Sequence, residues 1–162
     1  HRMSRTRGFV PEPGVYYRLT NAYLASKNKC LESNSGRRYD YLDGNAYMDR
    51  CRDTSGQYWK FEPQANGYYK IISEKRGKCL ESKHYKRHSG GGSFVSHCDN
   101  YSGQYWKISD QGNGYFQLSS MSQTRRDGKC LEGNRVSARS TLGGAAFVDH
   151  CQNVSGQLWT VR

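Results

Sequence analysis

From Gly14 onward, apolar and polar positions alternate in short runs bounded by turn residues, the period of a strand with one buried face. Val15-Tyr16-Tyr17-Arg18-Leu19 has counterparts in Gly67-Tyr68-Tyr69-Lys70-Ile71 and Gly114-Tyr115-Phe116-Gln117-Leu118. All are rich in the aromatic and β-branched residues that strands favour. A basic turn follows each, over Lys27 to Lys29, Lys75 to Lys78 and Arg125 to Lys129. A second strand then carries Cys-Leu-Glu, beginning at Cys30, Cys79 and Cys130. A long polar loop leads to a third strand, at Ala46 to Asp49, Ser93 to Ser96 and Ala146 to Asp149, and a fourth holds a Gln-x-Trp phrase. No window of 11 or more residues shows a 3.6-residue apolar period, so no long helix is predicted. Four strands in each of three units predict an all-β chain of twelve strands.

The units are repeats. Ser55-Gly56-Gln57-Tyr58-Trp59, Ser102-Gly103-Gln104-Tyr105-Trp106 and Ser155-Gly156-Gln157-Leu158-Trp159 contain all three tryptophans. Cys51, Cys98 and Cys151 each precede the tryptophan by eight residues, and the two cysteines of a unit stand 21, 19 and 21 positions apart. The repeats run over about 14–66, 67–113 and 114–162. A period near 50 raises propellers and solenoids, but three units are few for a propeller and the helical solenoid patterns are absent. Three units can instead close around a pseudo-threefold axis. Positions two apart on a strand share a face, so Gln57 and Trp59 point together, as do Gln104 with Trp106 and Gln157 with Trp159. Three indoles near one axis supply a large part of a core, and a glutamine beside each can satisfy open backbone groups. Gly56, Gly103 and Gly156 are expected to turn the chain sharply into that strand. Residues 1–13, with Arg2, Arg5, Arg7, Pro11 and Pro13, read as a basic leader or linker outside a single domain over 14–162.

Composition narrows the class. A chain of 162 residues suits one domain, or three small units sharing one core. It has no run of 18 apolar residues to span a membrane, and it opens on His1 without a signal-type apolar core, as a mature or excised piece would. Six cysteines in three equally spaced pairs read as three disulfides, one inside each repeat, although six permit fifteen pairings. Each loop of about 20 residues closed this way gains about 3 kcal/mol in the chain-entropy model, and stable disulfides place the protein in an oxidising, extracellular-type compartment. No Cys-x-x-Cys pair occurs and the five histidines keep no ligand spacing, so neither a metal nor a cofactor is expected. The net charge of +11 favours anionic partners such as sulfated or sialylated glycans, acidic membrane surfaces and nucleic acid, and equally serves solubility. No Gly-x-Ser-x-Gly, His-Glu-x-x-His or phosphate-binding glycine loop is present, so the chain is not read as an enzyme. Asn100 and Asn153 begin N-glycosylation sequons in equivalent turns, where repeat 1 has Asp53, and shared turn chemistry explains the pattern without a glycan.

Three Gln-x-Trp phrases in register with Cys-Leu-(acid) strands and internal cysteine pairs resemble the ricin B-type lectin family, across Gly14 to Arg162. The resemblance implies a β-trefoil of twelve strands, six in a barrel and six in hairpins capping one end, with disulfides Cys30–Cys51, Cys79–Cys98 and Cys130–Cys151. It implies a secreted, carbohydrate-binding protein with up to one shallow sugar site per repeat, acting alone or as the binding part of a toxin or enzyme. In galactose-binding members an Asp two places after the first cysteine, a ring shortly before the second, and an Asn before the Gln make the pocket. Here those places hold Glu32, Glu81 and Glu132, then Asp49, Ser96 and Asp149, then Gly56, Gly103 and Gly156. Rings stand four places before the second cysteine instead, at Tyr47, Phe94 and Phe147.

A sugar site needs acceptors for hydroxyls, a ring for the C–H face and access from solvent. Repeat 1 meets that best, with Glu32 and Asp49 as acceptors, Tyr47 as platform, and Tyr39, Asp40 and Tyr41 in the loop. Repeat 3 offers Glu132, Asn134, Phe147, Asp149 and His150, with Arg135 and Arg139 nearby. Repeat 2 has Glu81 and Phe94 and a basic loop including Lys83, His84, Lys86, Arg87 and His88, better suited to sulfate. The bland alternatives are a strand-end glutamate paired with lysine and rings packed under the loop. Expected partners are glycans on glycoproteins or glycolipids, sulfated polysaccharides, and a further domain or subunit, with no nucleic acid and no membrane span. The rival reading is a protein- or polyanion-binding trefoil whose sugar sites have decayed.

Overall fold

The computed structural model describes residues 8–33, 44–84, 91–121, 129–134 and 146–162. Among them, strands β1 (Tyr16–Tyr17), β2 (Leu19–Asn21), β5 (Trp59–Pro63), β6 (Tyr69–Ser73), β9 (Trp106–Gly112), β10 (Tyr115–Ser120) and β13 (Trp159–Val161) form a barrel. It closes through the antiparallel pairs β1–β5, β5–β6, β6–β9, β9–β10, β10–β13 and β13–β2. Three hairpins cap it: β3 (Lys29–Ser33) with β4 (Gly44–Arg50), β7 (Cys79–His84) with β8 (Gly91–Ser96), and β11 (Lys129–Gly133) with β12 (Ala146–His150). The caps join where β8 pairs with both β4 and β12. This is the β-trefoil. Thirteen strands appear where twelve are predicted because the first strand divides at Arg18, its halves pairing with β5 and β13. The disulfides are Cys30–Cys51, Cys79–Cys98 and Cys130–Cys151, one per repeat.

The tryptophans hold the three units together. Trp59, Trp106 and Trp159 are wholly buried, and each indole N–H donates to the carbonyl of the leucine in its own Cys-Leu-Glu strand, at 3.0, 2.9 and 2.8 Å. Burying such a ring without that acceptor would leave a costly orphan donor.

The Gln-x-Trp phrase differs from the strand predicted for it. Ser-Gly-Gln forms a 3₁₀ turn in every repeat and only the tryptophan starts the strand. The turn lets the glutamine fold back as a clamp. Gln57 accepts from the Arg52 N–H at 2.8 Å and donates to the Arg50 carbonyl and to Glu32, and Gln104 and Gln157 repeat the arrangement. The glycine before it serves a close approach, since none of the three has a positive φ. A methyl at Gly56 would collide with the Ser33 carbonyl oxygen, and one at Gly103 would lie 2.5 Å from that of Ser82.

Phe9 lies in the stretch the sequence reading sets outside the fold, yet it packs into the barrel's open end. It stacks on Phe116 at 4.7 Å between ring centres and meets Tyr17 and Phe61 edge-on at 5.1 and 5.3 Å. Two prolines and three arginines masked Phe9, two of whose three ring partners lie far along the chain.

Candidate functional site

Each cap hairpin sets the predicted acid directly opposite the predicted ring: Glu32 faces Tyr47, Glu81 faces Phe94 and Glu132 faces Phe147. The register brings together what the sequence paired. What surrounds each pair differs by repeat.

In repeat 1 the candidates bond to one another. Glu32 is 5% exposed and accepts from Tyr47 Oη at 3.1 Å, Arg52 at 2.9 Å and Gln57 Nε2 at 2.9 Å. Arg52 also reaches Asp49 at 3.3 Å, and the other Asp49 oxygen accepts from the Arg50 N–H. Tyr47 is 5% exposed; burial first, and then the Glu32 charge, pushes its hydroxyl pKa well above the usual tyrosine range. The Arg52 guanidinium is held further toward the charged form, chiefly by its bond to Asp49. Tyr39 and Tyr41 lie outside the described residues.

Repeat 2 buries Phe94, and Glu81 accepts from Gln104 at 3.0 Å. His84 ends β7, but its side chain is outside what the structure describes. In all three repeats the glutamate is therefore bonded by the Gln of Gln-x-Trp.

Repeat 3 is open. Glu132 accepts from Gln157 at 3.1 Å, but Phe147 has no hydroxyl and Gln152 stands where repeat 1 has Arg52. Burial raises the Glu132 pKa, the Asp149 charge adds to it, and the Gln157 donor opposes. Asp149 Oδ1 accepts from the His150 N–H, and the His150 ring lies 3.3 Å from Lys129 Nζ. Glu132, Gly133 and Asn134 form one wall of a cleft of about 210 Å³, Val154, Ser155 and Gly156 another, and Tyr23 from repeat 1 the third. Tyr23 is 45% exposed, and the sequence reading did not select it.

The cleft sits here because one junction is built differently. Where repeat 1 meets repeat 2, Ser33 and Ser73 hydroxyls bond at 2.8 Å, and where 2 meets 3, Ser82 and Ser120 bond at 2.6 Å. Where repeat 3 meets repeat 1 the pair becomes Gly133 and Asn21. The Asn21 amide donates to the carbonyls of Gly133 and Gly156 and its oxygen accepts from the Leu24 N–H. That bridge fixes the turn bearing Tyr23, whose N–H donates to the Ser155 carbonyl. A visible signal existed: the serine after Cys-Leu-Glu gives way to glycine only in repeat 3, and its partner serine to asparagine only in repeat 1.

Among the described residues no group of three or more His, Cys, Asp or Glu could hold a metal ion, and no helix is long and apolar enough to cross a membrane.

The fold is thus a β-trefoil in which the Gln of each Gln-x-Trp phrase grips an acid of its cap hairpin. The profile of ricin-type β-trefoil lectin domain-like proteins matches residues 9–90 and 55–126, and the chain belongs to that family. No curated protein matches it. Among solved structures it resembles a designed threefold-symmetric protein, ThreeFoil, at TM-score 0.71 and 22% identity, covering 90% of this chain and 96% of that one. It also resembles a Macrolepiota procera ricin B-like lectin in complex with lactose, at TM-score 0.69 and 15% identity over 94% and 98% of the two chains. An exo-β-1,3-galactanase from Clostridium thermocellum matches at TM-score 0.73 and 23% identity over 94% of this chain, which spans only 31% of the galactanase. These identities establish the fold. Domains of this family are binding modules.

Proposed function

We propose that the protein is a secreted, non-enzymatic lectin module that binds glycans at the cleft between repeats 3 and 1. The observation that carries this is the exposed Tyr23 ring across a cleft from the half-buried Glu132 carboxylate. A ring can lie against the C–H face of a sugar while the acid and Asn134 take its hydroxyls. The volume is below the roughly 300–1,000 Å³ of drug-sized pockets and suits one terminal ring. The three disulfides support an extracellular setting.

Because a similar lectin was solved with lactose, lactose is the first probe, followed by an array of neutral glycans at high salt. Tyr23→Ala should weaken binding about fivefold, in line with about 1 kcal/mol for an aromatic contact, and leave thermal stability unchanged. Neutral-sugar binding that survives both Tyr23→Ala and Glu132→Gln would sink the cleft assignment. The galactanase, three times longer than the match, supports a second reading in which this unit is the binding part of a larger protein. The intact mass of the native protein decides that.

A further inference from the structure

Two of the three barrel seams carry the same alternation of tyrosines and cations on their outer face. Where β1 meets β5, the Arg18 guanidinium lies 5.7 Å from the centre of the Tyr58 ring and Lys60 Nζ 5.7 Å from that of Tyr16. Where β6 meets β9, Lys70 Nζ lies 5.4 Å from the Tyr105 ring and Lys107 Nζ 5.1 Å from the Tyr68 ring. Since β5 also pairs with β6, the two seams lie on four consecutive strands, a curved wall that carries them about a third of a turn apart around the barrel. At the third seam Phe116 pairs with Trp159 in the same manner, but the outer positions are Tyr115, Gln117, Leu158 and Thr160. Gln117 there turns to Gln152 and Gln157. The barrel closes without cations at that seam, so the alternation is not a requirement of the fold.

We infer that this wall binds a sulfated polysaccharide. The ion pairs of Arg52 with Glu32 and Asp49 involve none of these cations, and no described carboxylate lies within ion-pairing distance of Arg18, Lys60, Lys70 or Lys107. Glu62, the cross-strand neighbour of Lys70, does not ion-pair with it. A tyrosine face steadies a cation without cancelling its charge, leaving the N–H groups to an incoming anion. Nucleic acid fits less well, because a single strand stacks its bases on open rings. Here the ring faces lie under cations, and Tyr68 meets Tyr105 edge-on at 6.5 Å. The hydroxyls of Tyr58 and Tyr105 are held by Asp53 and Asn100. Spaced cations suit spaced sulfates. The wall uses no residue of the cleft, so the inference stands or falls apart from the lectin site.

Heparin is the probe, with affinity measured by calorimetry against salt concentration on the full chain. Lys70→Gln with Lys107→Gln should weaken binding about tenfold and flatten the salt slope by about two, one per lost anion contact. Lys70→Arg with Lys107→Arg should retain binding. The charge-matched pair Lys27→Gln with Arg50→Gln, both exposed, one in the turn before β3 and the other at the end of β4, should cost about twofold or less. Gln117→Lys with Thr160→Lys should strengthen binding by extending the wall, and decides the matter if the first pair fails to fold. The inference is overturned if the charge-matched pair costs as much as the wall pair, or if the loss follows Lys86→Gln with Arg87→Gln instead. Tighter binding to poly-dT than to heparin, or no heparin binding at roughly physiological salt, overturns it equally.

Discussion

Repeats 1 and 3 share the same hairpin, disulfide and glutamine clamp, and differ in what the acid does next. Glu32 has three donors and almost no exposure; Glu132 has the clamp, a phenylalanine opposite, and a cleft in front. The richer set of polar candidates made repeat 1 the more attractive site in sequence. In the fold the described members, Glu32, Tyr47 and Asp49, are bonded to one another or to Arg50, Arg52 and Gln57, and a satisfied buried network has little to offer a ligand, because binding must first break it. The poorer set leaves an acid facing outward. Counting acceptors and rings is therefore a weak guide to a site unless their mutual bonds are known.

The largest test of the contrast is steric. A methyl at Gly56 has no room against the Ser33 carbonyl, whereas at Gly156 it would stand 3.0 Å from the Gly133 carbonyl and 3.1 Å from Glu132 Cγ. Gly56→Ala should cost about 3 kcal/mol and Gly156→Ala about 1 kcal/mol, read from urea unfolding with the disulfides intact. Equal costs would mean the repeat 3 junction is as tight as the others.

A smaller effect should follow from giving repeat 1 the composition of repeat 3. Tyr47→Phe with Arg52→Gln removes two of the three donors to Glu32 and should cost about 2 kcal/mol, since Arg52 is half exposed and its pair is partly screened. No sugar binding should appear at repeat 1 from this change alone, because Lys75 stands there where the third junction has Tyr23. Adding Lys75→Tyr should create weak lactose binding that is absent from the double variant, measured in a Tyr23→Ala background.

Most of the frame was legible because it rests on local spacing. The cysteine pairs, the tryptophans and the closure of three units follow from a phrase said three times, and each repeat must solve the same packing problem. The Cys-Leu-Glu strand was readable for the same reason. What escaped was set by contacts across the chain. Gln57 sits in a 3₁₀ turn because the chain must pass close to Ser33, which no periodicity reveals. Phe9 finds Phe116 more than a hundred residues away, and Tyr23 reaches Ser155 only after the last strand closes the barrel. The departure of Asn21 and Gly133 from the serine pairs was the one sequence mark of that junction.

The finest distinction between the repeats is electrostatic. Glu132 has a pKa raised above the ordinary glutamate value, mainly by burial. The folded chain therefore holds this proton to a higher pH than the unfolded chain does. Its contribution to stability is full below the unfolded glutamate pKa and is lost as pH rises through the folded value. Sugar binding should move the other way, because the ionised carboxylate is the stronger acceptor for hydroxyl groups. Raising pH through the range just above the ordinary glutamate pKa should thus lower the melting temperature slightly while tightening lactose binding. Glu132→Gln keeps an oxygen for the Gln157 donor, and should flatten this component of both curves. Glu32→Gln should leave the lactose curve unchanged, since that acid is committed to Tyr47, Arg52 and Gln57. If Glu32→Gln were the variant that flattened lactose binding, the working site would lie in repeat 1 and the contrast between the repeats would be reversed.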